Sequence, residues 1–173
     1  MKTGNKEDIV LFLMGQEDRN KLWDLTEHRE KRKLNQNAYY WQLAGQVARK
    51  TKVTINEIHN RNLRDLGLLA RVNGCPVTVL IPDTDEGERG ALEAETFHIK
   101  PTSKVALGKD GVTYRYYLML RGSSDYDVKE FSALVDLMVQ EAIAQNIEVL
   151  TPAELAHMRE LEKQAEQRKG DKK

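Results

Sequence analysis

Residues 9–14 form an unbroken apolar run, Ile-Val-Leu-Phe-Leu-Met, for which a short strand is predicted. A second short strand is expected at residues 22–26, beyond the polar turn 15–21. The pattern then changes to a helical period. Across residues 35–50 apolar side chains fall on two sides of a helix, Leu34, Ala38, Trp41, Gly45 and Ala48 on one and Tyr40, Leu43 and Val47 on the other. Tyr39, Gln42, Gln46 and Arg49 form the polar strip between them. Such a helix is either sandwiched in a core or lends one stripe to a partner.

Thr54-Ile55-Asn56-Glu57 is a capping box that starts a second helix, ending near Gly67. Its period points Ile55, Ile58, Leu63 and Leu66 inward and Asn60, Arg61 and Arg64 outward. His59 borders the apolar stripe and reads as a packed histidine. Residues 76–82 read as a strand bracketed by prolines, and residues 83–95 as an acidic excursion, helical from Glu86. Strands follow at 96–100 and 113–120, joined through Lys109-Asp110-Gly111.

Asp127-Val128-Lys129-Glu130 is a second capping box, opening a helix that carries Phe131, Leu134, Val135, Met138 and Ala142 inward and stops near Asn146. Thr151-Pro152-Ala153-Glu154 starts the last helix. From Gln164 the chain is almost wholly polar and charged. The expected fold is therefore α+β, a small antiparallel sheet with a central helix pair and two C-terminal helices. It should occupy one domain over residues 1–163, with a charged tail over 164–173 expected to lack order.

Composition narrows the classes. The single cysteine, Cys75, excludes an internal disulfide, and no Cys/His group has zinc spacing. The longest apolar run is far short of a membrane span, and Glu7 and Asp8 stand where a signal peptide needs cations. A cytoplasmic protein is expected. Net charge is zero, but unevenly spread: residues 28–71 hold ten Lys or Arg against three acids, whereas residues 72–99 hold one Arg against six. One part can face phosphate while another faces away.

The stretch 31–41 carries the most chemistry. Lys31, Arg32 and Lys33 supply charge for phosphates, while Asn35, Gln36 and Asn37 supply amides for phosphate oxygens or base edges. Tyr39, Tyr40 and Trp41 supply aromatic faces, which stack on unpaired bases. An ordinary helix opening with core aromatics is the plain alternative. Downstream, Arg121-Gly122-Ser123-Ser124-Asp125-Tyr126-Asp127 joins a strand to a helix start. There Arg121, Ser123, Ser124 and free amides could hold a phosphate, although Asp125 and Asp127 oppose one, and a simple capped turn is the alternative. An enzymatic alternative rests on Asp125, Asp127 and Glu130 as magnesium ligands, or on Glu93, Glu95 and His98. Capping accounts for two of the first set, and Glu95 and His98 face opposite ways on one strand.

Two blocks, Lys33-Leu34-Asn35-Gln36-Asn37 followed by Trp41 and Leu43, and Gly122-Ser123-Ser124 followed by Glu130-Phe131 and the helix to Ile143, resemble the NinB (Orf) recombination proteins of phages. The resemblance spans about a third of the chain. It leaves out the acidic residues 83–95, which could shield a DNA surface or meet a basic partner. It implies a non-enzymatic recombination mediator that binds single-stranded or gapped DNA without cofactor or metal. It further implies an intertwined homodimer, phage-encoded and acting in the host cytoplasm, that assists recombinase loading at single-strand-binding protein. Lys31, Arg32 and Lys33 would contact phosphates, Asn35, Gln36 and Asn37 backbone or bases, and Tyr39 or Tyr40 would stack; Trp41 suits a core or dimer contact. Arg49, Arg61, Arg64, Arg121, Ser123 and Ser124 complete the expected DNA-binding set. The rivals are a metal-dependent phage nuclease or resolvase and a module whose basic stretch binds an acidic partner tail.

Overall fold

The computed structural model describes residues 6–16 and 34–170, and the chain is α+β. It divides into two compact units, Met1–Glu30 and Lys31–Lys173. In the first unit, Lys6–Met14 is helix α1 rather than the strand expected at residues 9–14. An unbroken apolar run carries no period, so neighbouring residues decide. Glu7 and Asp8 sit in the first turn, where carboxylates favour the helix dipole, and Gln16 Nε2 donates to Phe12 O near the other end. Residues 22–26 lie outside the described residues.

The second unit opens with α2 (Leu34–Thr51) and α3 (Ile55–Leu66). Thr54 caps α3 by accepting from Glu57 N, while the Glu57 carboxylate pairs forward with Arg61. Gly67 ends the helix at φ 70°, the left-handed conformation that glycine adopts without steric cost. A two-stranded hairpin, β1 (Arg71–Val72) and β2 (Cys75–Pro76), precedes β3 (Thr78–Pro82). The acidic excursion folds as α4 (Asp85–Glu93), capped by Thr84. Strands β4 (His98–Leu107) and β5 (Thr113–Leu120) complete an antiparallel sheet of order β3-β5-β4.

A short 3-10 turn, Ser123–Asp125, leads to α5 (Val128–Ala144), whose capping box is complete: Asp127 Oδ1 accepts from Glu130 N and Glu130 Oε2 from Asp127 N. Helix α6 (Pro152–Gly170) continues past Gln164. No helix among the described residues is long and apolar enough to cross a membrane.

The main core lies between α2, α3 and α5. Tyr40, Leu43 and Val47 meet Ile58 and Leu63, then Phe131, Leu134, Val135 and Met138, all with at most 1% of their surface exposed. In α2 the buried stripe includes Gln36, Ala44 and Ala48, whereas Ala38 is exposed. A second cluster sits behind the sheet, where Val79, Ile81, Ile99 and Tyr117 pack with Ala91 of α4.

Candidate nucleic-acid interface

Register divides the sheet into two faces. Val79 and Tyr117 are opposite one another, as are Ile99 and Met119, and the buried members of these pairs belong to the rear, α4-covered side. Alternation sends Thr78, Leu80, Tyr116, Leu118, His98 and Lys100 to the front. At one end of the front, Leu120 joins the main core and His98 meets α3. Further along, Leu80 stands 48% exposed opposite the half-buried Tyr116. A bulge between Pro101 and Val105 breaks the β4 ladder, and in that interval the Lys104 ammonium lies 4.5 Å from the centre of the Tyr116 ring. Bulges re-aim side chains in this way. The result is a partly open sheet face with a cation lying over an aromatic ring.

The rear of the sheet accounts for the acidic excursion. Asp83 carries the Arg115 guanidinium, Nε donating to Oδ1 at 2.8 Å and Nη2 to Oδ2 at 2.9 Å. Glu88 pairs with Arg64 and accepts from Tyr117 Oη at 2.6 Å. Burial pushes the Glu88 pKa up, but the hydrogen bonds from Arg64 and Tyr117, with both arginine charges, outweigh it and hold the carboxyl below its ordinary value. The same burial and the Glu88 hydrogen bond raise the Tyr117 pKa to about 12. Two acids of residues 83–95 thus pair with arginines behind the sheet.

The residues expected from sequence to bind DNA are not brought together. Lys31, Arg32 and Lys33 lie outside the described residues, as does the side chain of Asn35. Tyr40 is fully buried and corrects the stacking expectation: its hydroxyl bonds His59 Nδ1 at 2.8 Å. Gln36 is buried and accepts from Ser132 Oγ, and the Oδ1 of Asn37 is buried. Tyr39 is half-buried, its hydroxyl accepting from Leu150 N at 2.9 Å. Arg64 and Asn60, expected to face outward, turn inward. Arg64 Nε donates to Ile99 O, and Asn60, 1% exposed, donates to Leu92 O and Ala94 O at the end of α4. These two residues bridge α3 to the sheet and α4, a tertiary demand that a helical wheel drawn for one neighbour does not show.

The strand-to-helix segment is likewise occupied. Arg121 pairs with Glu130 and lies over the Tyr126 ring, with its carbon 5.3 Å from the centroid. Ser123 is buried, its Oγ 3.3 Å from His59 Nε2. The two carboxylates of the capping box sit where a phosphate would have to bind, so the anion site expected from Arg121, Ser123 and Ser124 is not formed. Arg49 and Ser124 are exposed, and Arg61 is exposed but paired with Glu57. No group of three metal-ligating side chains converges among the described residues, and Glu95 turns to Asn56 rather than to His98.

Sequence reasoning missed Leu80, Lys100, Lys104 and Tyr116. The signal was present as the alternation Tyr114, Tyr116, Leu118 on β5, whose opposite parity holds the buried Tyr117. What it lacked was which side α4 would cover. Families of known proteins, curated proteins and solved structures were each compared with the chain, and none matches.

Proposed function

We propose that this chain is a non-enzymatic single-strand DNA-binding protein of the recombination-mediator kind. In this reading it is phage-encoded, dimeric and cytoplasmic, and works where host single-strand-binding protein coats gapped DNA and a recombinase must load. The observation that carries the reading is the sheet face on which Lys104 covers Tyr116, with Leu80 and Leu118 beside the ring; Lys100, on the adjacent strand, donates to Arg64 O at 2.7 Å. Antiparallel sheets that bind single strands use such a face, with aromatic rings taking bases and cations tracking phosphates.

Magnitudes favour exchange of the cation for a base. An exposed cation–π contact is worth about 0.5–1 kcal/mol, whereas a base stacked on an aromatic ring is worth about 1–3 kcal/mol. In this reading a base displaces Lys104 from the ring, and the released ammonium pairs with a phosphate. Exposed Lys and Arg of α2 and the preceding basic stretch add attraction without sequence preference.

Fluorescence anisotropy with a labelled single strand and its matched duplex tests this. The expected result is tighter binding of the single strand, with Tyr116→Ala weakening it roughly 5- to 150-fold, the equivalent of the loss of one stacked base. Equal affinity of Tyr116→Ala and the unaltered chain for the single strand would remove the sheet face from the reading.

A further inference from the structure

We infer that His98 Nε2 is a hydrogen-bond acceptor for the bound strand, reading an N–H or O–H donor, and that Asn60 holds it in that state. The inference deepens the single-strand reading and rests on it. Asn60 fixes the geometry. Its Nδ2 is 2.6 Å from Leu92 O and 2.9 Å from Ala94 O, and only an amide NH2 can face two carbonyls. The Asn60 Oδ1 is therefore the atom 2.6 Å from His98 Nδ1. An oxygen without hydrogen accepts only, so Nδ1 carries the imidazole proton and the lone pair of the neutral ring is on Nε2.

A side chain at Gly122 would begin 3.4 Å from Ser124 Oγ, 3.7 Å from His98 Cδ2 and 3.8 Å from His98 Nε2, and the glycine leaves this edge of the ring uncovered. Among the described residues no group donates to Nε2. The ring is steadied from behind by His59, edge to face at 5.4 Å between centroids. His59 is itself engaged by Tyr40 and Ser123. His98 shares the front face of β4 with Lys100, two residues on, so it stands at the covered end of the same face that presents Tyr116. Burial disfavours the charged ring, which keeps His98 neutral and accepting rather than phosphate-seeking near neutral pH.

A nucleic-acid strand offers the complementary donor as a base N–H, either an exocyclic amine or the ring N3–H of uracil, or as a ribose 2′-hydroxyl. The arms of the experiment separate them. Oligo(3-methyl-dU) carries no N–H or 2′-hydroxyl donor; oligo(dC) supplies the 4-amine and oligo(3-methyl-rU) the 2′-hydroxyl. Affinities are measured by anisotropy for the unaltered chain, His98→Gln, which retains an acceptor, and His98→Phe, which retains a ring without one. The folding of each variant is checked by urea titration.

One donor-bearing oligonucleotide is expected to bind roughly 2- to 10-fold tighter than oligo(3-methyl-dU), the range of a single net hydrogen bond. His98→Phe should abolish that preference and His98→Gln retain part of it. A preference for oligo(dC) assigns the donor to the base, and one for oligo(3-methyl-rU) assigns it to the sugar. Strands that bind with no such preference, or a preference that persists in folded His98→Phe, overturn the inference and leave the single-strand reading standing. If no oligonucleotide binds, both fall.

Discussion

Tyr40 and His59 join α2 to α3 through a 2.8 Å hydrogen bond between the phenol and Nδ1, inside the core. Burial, with the charge of Glu141 added, raises the phenol's pKa and keeps it protonated. The phenol and Nδ1 share one hydrogen, and on its other side the ring's Nε2 lies 3.3 Å from Ser123 Oγ. Tyr40→Phe leaves the buried Nδ1 without this partner and should cost about 1–3 kcal/mol of stability. Urea denaturation measures the loss. Single-strand affinity should stay within twofold of the unaltered chain, because the ring never reaches solvent; a Tyr40→Phe or Tyr40→Leu variant that folds but loses binding would restore Tyr40 to the interface.

Gly87 lies in the first turn of α4, and a side chain there would begin 2.3 Å from Pro82 O and 3.2 Å from Ile81 Cγ2. Glycine to alanine within a helix ordinarily stabilises by up to about 1 kcal/mol. Here the nearest obstacle is backbone at the end of β3, which cannot move without disturbing the pairing of Pro82 with Tyr114. Gly87→Ala should therefore destabilise, by about 1–3 kcal/mol, the range of an overpacked site. A rise in the urea midpoint would contradict the close approach of α4 to β3.

Stability should fall on acidification in two stages. His98 is kept neutral by burial, so its folded pKa lies below its unfolded value of 6.5. Between these values the unfolded chain binds more protons, and stability declines as pH drops from 6.5 towards the folded value. Glu88 acts lower down. Its folded pKa is below the ordinary value of 4.5, so its contribution is complete above 4.5 and is lost as pH falls through the folded value. Urea midpoints measured from pH 7.5 to 3 should show both declines. His98→Gln should flatten the first and leave the second, and Glu88→Gln should do the reverse.

Much of the architecture was legible because it is local. The caps Thr54, Asp127 and Thr151, the stop at Gly67 and the turn residues Lys109-Asp110-Gly111 before β5 all place their elements correctly, since each depends on residues within a few positions. The opening helix was misread because six apolar residues in a row satisfy strand and helix equally. The candidate site was less legible for a different reason. Cations and amides identify polar chemistry but not its direction, and Arg64, Asn60 and Gln36 are polar residues committed to contacts made 35, 32 and 96 positions away. Tyr116, by contrast, has an ordinary sequence context. It becomes conspicuous only when α4 covers the other face.

Lys104 and the stretch Lys31 to Lys33 make separable contributions if the sheet face binds the strand. Each ammonium that neutralises a phosphate on a single strand contributes a slope of about −0.7 to the dependence of log affinity on log salt. Lys104→Ala should therefore weaken binding and reduce the magnitude of the slope by about 0.7. Tyr116→Ala should weaken binding without changing the slope, because stacking releases no counterion. Changing Lys31, Arg32 and Lys33 together to alanine should reduce the slope by about 2 if all three meet phosphates, and should leave the effect of Tyr116→Ala unaltered. Anisotropy titrations at four or more salt concentrations give the slopes. A salt slope untouched by Lys104→Ala but abolished by the triple change would move the interface from the sheet to the start of α2, with Lys104 left as a surface cation resting on a tyrosine.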